Sequence, residues 1–288
     1  MLVSRIRVSA LIALFGVLAA GAVFGQQASR PAPEKSRTGK RPSEEKKPAA
    51  NTGATQKDLI RNPTAEVVVE SVIFVYGLGG GRVTLNQIRK TALERGTMSL
   101  LNGDGRTDQV TYQRWTQRAE TLNKEKIRLD REFPNARYAL VFNDEKIFMR
   151  VGDQIYTPRE DVSKAFEDQI VHGLEALLRY KENESKIELG GKEKILGVEY
   201  YLIDVTDKQS RKTRFYVSAK TFRVMMLDYQ ENGVKYRRKF YDYNYAQGTL
   251  VPFRTLLWAG DKLIEETEVG TITFGQKIDE SLFSNEQS

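Results

Sequence analysis

VYGLGGGRVTL, residues 75–85, places four glycines in five positions directly behind a run of Val, Ile and Phe. A dinucleotide-binding unit needs strand, glycine turn and helix in that order, with Gly-x-Gly-x-x-Gly. Here Arg82 stands where the last glycine belongs, and no Gly-Lys-Ser/Thr exists for a phosphate-binding loop. Upstream, Asn62 and Pro63 read as the N-cap and first residue of a helix. Ala65, Val68, Val69, Val72, Ile73 and Tyr76 then recur at helical spacing, although Val and Ile are mediocre helix formers. Gly77 is therefore expected to take a left-handed conformation just past a helix end, with the following glycines as stop and hinge. The order helix-then-glycine argues against a nucleotide site.

After Leu93 the period changes to two. Val110, Tyr112 and Arg114 oppose Thr111, Gln113 and Trp115, and Tyr138, Leu140 and Phe142 oppose Ala139 and Val141. Turn signals at Asn102–Gly105, Pro134-Asn135 and Asn143-Asp144 make the connections hairpins and the sheet antiparallel. Asn102–Gly105 fails as a calcium loop, because Leu100 and Thr111 fall where carboxylates are needed. One helix interrupts the strands, its apolar stripe formed by Val162, Phe166, Ile170, Leu174, Leu177 and Leu178. Strands resume near Lys186 and continue to Phe274. The pattern predicts an α+β, mainly β fold of about 10 or 11 strands and two long helices. Hairpins in such number suggest a barrel or strongly curved sheet with the striped helix on its concave side.

The helix ending at Gly79-Gly80, then Val83, Leu85 and Ile88 before Gly96, and Lys126-Ile127-Arg128-Leu129, resemble the N-terminal half of the periplasmic lipoprotein carriers and their receptors, the LolA/LolB-like superfamily. The second half is similar through Gly197 to Tyr201, Tyr216-Val217, Phe222 to Val224, Asp242-Tyr243, Gly248, Pro252, Ile278-Asp279 and Phe283. The resemblance spans about residues 64–284 and rests on turns and strand ends. It implies an unclosed antiparallel half-barrel with two helices on its concave face. It also implies an apolar cavity for acyl chains, with Val162–Tyr180 as plug or lid. Burial of each lipid methylene there would be worth about 0.8 kcal/mol. Candidate ligand-binding residues are Trp115, Leu140, Phe142, Phe166, Ile170, Leu174 and Trp258.

Composition adds an address. Arg5 and Arg7, the apolar stretch Val8 to Phe24 and the small residues before Gln26 have the order of a cleaved signal peptide, residues 1–25, with an uncleaved inner-membrane anchor as the rival. Residues 26–58 hold eight Lys/Arg, four Asp/Glu, four of the eight prolines and no aromatic residue. That composition reads as a disordered tether, whose lysines could touch cell wall or anionic lipid. Taking its +4 and the two leader arginines from the total of +7 leaves about +1 for residues 59–288. A near-neutral folded domain argues against nucleic acid. The absence of cysteine excludes disulfides, thiolate chemistry and a lipid-attachment cysteine.

No catalytic constellation emerges. His172, the only histidine, falls off the helical stripe and is expected at the surface. Glu266 and Glu268 share a strand face, as solvated carboxylates commonly do. Lys235, Arg237 and Lys239 alternate with Tyr236, Arg238 and Phe240, giving a strand with one charged face. The sequence thus points to a monomeric, non-enzymatic periplasmic protein without cofactor or metal. It would hold acyl chains or a lipidated protein and carry the cargo between membranes. A lipid-sensing regulatory domain with a membrane-protein partner is the alternative, and an exported hydrolase the third.

Overall fold

The computed structural model describes residues 63–102 and 104–285. The expected leader, tether and Asn62 cap lie outside them. Helix α1 spans Ala65–Tyr76, and its cap is Thr64, whose Oγ1 accepts the Val67 N–H at 3.3 Å. Pro63 therefore precedes the cap instead of opening the helix. The β-branched residues are tolerated because Val68, Val69, Val72 and Ile73 are all fully buried, and tertiary packing outweighs intrinsic propensity. Tyr76 ends α1 with its hydroxyl 2.8 Å from that of Tyr243, which itself donates to the Val224 carbonyl.

The glycines join two helices. Gly77 donates to Ile73 O at 2.9 Å but keeps φ at −95°, and the left-handed positions fall on Leu78, Gly79 and Gly81 instead. The chain then re-enters helix α2, Gly81–Ile88, bent by 47° from α1. A Cβ at Gly77 would stand 2.7 Å from Gly81 O, and one at Gly80 would stand 2.2 Å from Thr84 Oγ1. Only glycine permits so close a junction, and no phosphate cradle forms.

Among the described residues, thirteen strands form one antiparallel sheet. Strands β1 (Thr91–Leu101), β2 (Thr107–Gln117), β3 (Lys126–Phe133), β4 (Ala136–Asn143), β5 (Lys146–Val151) and β6 (Gln154–Tyr156) make one meander. Strands β7 (Lys186–Ile195), β8 (Val198–Thr206), β9 (Lys212–Ser218), β10 (Val224–Glu231), β11 (Val234–Ala246), β12 (Thr249–Ala259) and β13 (Lys262–Phe274) make the other. The meanders join where β1 pairs with β13, leaving β6 and β7 as free edges. The fold is thus mainly β and unclosed, with more strands than the periodicity suggested. The polar β1 and the short β5 and β6 account for the difference.

Helices α3 (Glu160–Val171) and α4 (Leu174–Leu178) carry the chain from the edge strand β6 to the opposite edge β7. The stripe expected as one continuous rod is broken at His172-Gly173, where Gly173 is extended with ψ at 175°. That break divides its apolar residues between two cores. Phe166 and Ile170 pack with Met98, Leu129 and Leu140, whereas Leu177 and Leu178 pack with Val72, Ile203 and Phe215.

The β1–β13 junction depends on Gly96, which sits at a register shift. A Cβ there would lie 2.0 Å from the Glu268 carbonyl oxygen, a backbone atom with little room to retreat. Gly96→Ala should therefore cost about 1–3 kcal/mol in urea unfolding, the usual range for overpacking. An unchanged midpoint would show that β13 can move away freely.

Candidate ligand cavity

The α3–α4 break roofs a cavity of about 230 Å³. Met98, Ile127, Phe240 and Val251 supply apolar wall from the sheet, and Ile170 and Leu174 supply it from the helices. The expected hollow is present, but its wall is not purely apolar. Arg89, Arg114, Arg118 and Arg238 line it together with Glu94, Glu125, Glu175 and Glu265.

Most of these charges are matched. Arg89 follows α2 and donates to Glu175 at 2.6 Å, to Thr249 Oγ1 at 2.9 Å and to Leu250 O at 2.7 Å. Arg118, at the end of β2, holds the second Glu175 oxygen. Both oxygens of a carboxylate on the first turn of α4 are thereby fixed to the sheet. Burial raises the Glu175 pKa, but Arg118 and Arg89 outweigh it and leave the group below its ordinary value. Beyond the far end of α4, Arg179 donates to Glu125 and to the Ala119 carbonyl. Burial pushes Glu125 up to about 7 despite the opposing pull of Arg179.

Two cations are left over. Arg238 on β11 is 8% exposed, and its buried Nη2 has no hydrogen-bond partner. The buried Nε of Arg114 on β2 is in the same condition. Neighbouring acids are engaged elsewhere: Glu265 accepts from Gln169 at 3.1 Å and Glu94 from the Tyr112 hydroxyl at 2.7 Å.

His172 corrects an expectation. Far from being a surface residue, it is 2% exposed, lies 2.6 Å from Thr213 Oγ1 through Nδ1, and stacks on Tyr229 with ring centroids 4.1 Å apart. The helix break turns it inward. Burial pushes its pKa down to about 4, with Arg211, Lys164 and Arg238 adding to the shift. Asp168, His172 and Glu231 bring potential metal-ligand atoms within 4.8 Å of one another. The Lys164 ammonium already lies 2.9 Å from Asp168 and 3.3 Å from Glu231 and offsets one of their two charges.

A second hollow of about 370 Å³ is bordered by Phe142, Ile170, Val171, Ala176 and Val205. Of the candidate ligand-binding residues, Ile170 borders both hollows, Leu174 the first and Phe142 the second. Leu140 and Phe166 are each 1% exposed within the smaller core. Trp115 and Trp258 border neither hollow and lie instead against Arg128 and Lys239, at 5.6 and 4.9 Å. Glu266 is paired with Arg254 at 2.7 Å. The inward charges were not among the expected site residues; their one signal in the sequence is Arg238, which stands in register with Tyr236 and Phe240 on the face opposite Lys235, Arg237 and Lys239.

No protein-family model matches this chain, and no curated protein matches it. Solved structures do. A LolA-superfamily protein from Nitrosomonas europaea superposes with a TM-score of 0.56 and 12% identity, covering 77% of this chain and 98% of that one. A DUF1329-family protein from Desulfovibrio piger gives 0.53 and 12%, over 77% and 97%. A domain named for outer-membrane lipoprotein sorting, from Vibrio parahaemolyticus, gives 0.51 and 11%, over 67% and 88%. At such identities the likeness is one of fold: the chain has the LolA-like architecture that its turns and strand ends resembled.

Proposed function

We propose that this protein is an exported, non-enzymatic binding protein of the periplasm that holds acyl chains, free or on a lipidated protein, and carries them between membranes. The observation that carries this reading is the hollow beneath the α3–α4 break, lined by residues of a sheet that does not close. The fold shared with a domain named for lipoprotein sorting supports it. In this reading residues 1–25 direct export and 26–58 tether the domain, which works as a monomer without cofactor.

Mild purification followed by organic extraction and mass spectrometry should recover a bound lipid. Phe166 is too deeply packed to probe the cavity, so Leu174, only partly buried at the wall, is the informative position. Leu174→Glu should abolish uptake of a fluorescent fatty acid while the β-rich circular dichroism persists, because a carboxylate in an apolar wall opposes chain burial. Undiminished uptake by this variant, with no lipid extracted from the wild type, would overturn the proposal.

A further inference from the structure

We propose that the 230 Å³ cavity takes an amphiphile bearing a singly charged oxyanion head, and that Arg238, assisted by Arg114, recognises that head. This inference rests on the acyl-binding reading above and names its ligand class. A buried charge is costly unless it is paired and hydrogen-bonded. The other arginines turned inward have a carboxylate partner: Arg89 and Arg118 share Glu175, and Arg179 holds Glu125 although its Nε is unpartnered. Arg238 and Arg114 depart from that pattern. Among the described residues, neither side chain forms a hydrogen bond or an ion pair, yet buried Arg238 and half-buried Arg114 each keep a donor nitrogen out of water at the same cavity.

An anionic head entering the cavity would supply the acceptor that both lack. A guanidinium offers a planar fork of donors that suits carboxylates and phosphates. Because Met98, Ile127, Ile170, Leu174 and Phe240 supply apolar wall beside these arginines, the anion should carry an apolar chain. Glu94 and Glu265 stand on the same wall. Their charge disfavours a dianion, which selects a fatty-acid-type carboxylate or a phosphodiester over a phosphate monoester.

Isothermal titration of the full folded protein with palmitate and with hexadecanol, at matched sub-micellar concentrations and pH 8, tests the assignment. Wild type should bind the acid at least about tenfold more tightly than the alcohol, the scale of a hydrogen bond between charged partners. Arg238→Met should bring the two ligands within about twofold by removing that contact, with alcohol affinity unchanged. Arg114→Gln should narrow the gap partway. Stability gives a readout that a structural role would not: without ligand, Arg238→Met should raise the thermal midpoint, since an unmatched buried charge is removed.

Equal binding of acid and alcohol by the wild type would overturn the head-group inference and leave the acyl carrier standing. Binding of neither would remove both. An acid preference surviving in Arg238→Met and Arg114→Gln, or a midpoint that falls in Arg238→Met, would overturn the assignment to these residues.

Discussion

Arg179→Met is expected to lower the free energy of unfolding by about 3–5 kcal/mol at pH 8, the range for breaking a buried ion pair from one side. The pair is closed from water, with side-chain exposures of 4% for Arg179 and 2% for Glu125. Removing the guanidinium strands the Glu125 carboxylate and leaves the Ala119 and Glu120 carbonyls without their donor. Glu125 can escape by taking up a proton, which burial already favours up to about pH 7. The loss should accordingly be smaller at pH 5.5 than at pH 8. Arg179→Met combined with Glu125→Leu should recover much of the stability, since an apolar pair of similar volume is often as stable as a buried ion pair. Urea titrations of the three proteins at both pH values decide the matter. A single-variant loss under about 1 kcal/mol, as for a surface pair, would mean that water reaches the site.

Acid should destabilise the protein through His172. Its folded pKa is depressed to about 4, whereas the unfolded side chain titrates near 6.5. Between those values the unfolded chain binds the extra proton, so stability is full above about pH 6.5 and is lost as pH falls toward 4. The difference corresponds to about 3 kcal/mol across the window. Arg211, Lys164 and Arg238 disfavour the imidazolium and Asp207 partly offsets them. His172→Phe keeps a ring on Tyr229 but cannot titrate. Its unfolding free energy should be flatter than that of the wild type between pH 7 and pH 4, even though it loses the Thr213 bond. Parallel profiles would assign the acid sensitivity to the carboxylates instead.

Strand pairing was legible because its determinants are local. Asn102–Gly105, Pro134-Asn135 and Asn143-Asp144 each fall between neighbouring paired strands. The first helix was legible through its buried valine and isoleucine positions. What escaped was set by tertiary geometry. Nothing in the spacing of Ile170 and Leu174 betrays the break at His172-Gly173, since an unbroken helix would display the same stripe. His172 follows from that break and was hidden with it. Arg238 was hidden differently: its period-two register placed it among aromatics, but charge alone suggested solvent. Arg89 and Glu175, which meet across more than eighty residues of sequence, carry no local sign of one another.

The free strand β7 has a consequence of its own. Its exposed positions include Lys186, Glu188, Lys192 and Lys194, and its ladder with β8 slips at Gly190-Gly191. A margin so charged and crooked offers a poor template for another chain's backbone. At the opposite margin, β6 is three residues long. The protein can therefore keep a gap in its wall without inviting copies of itself to polymerise across it.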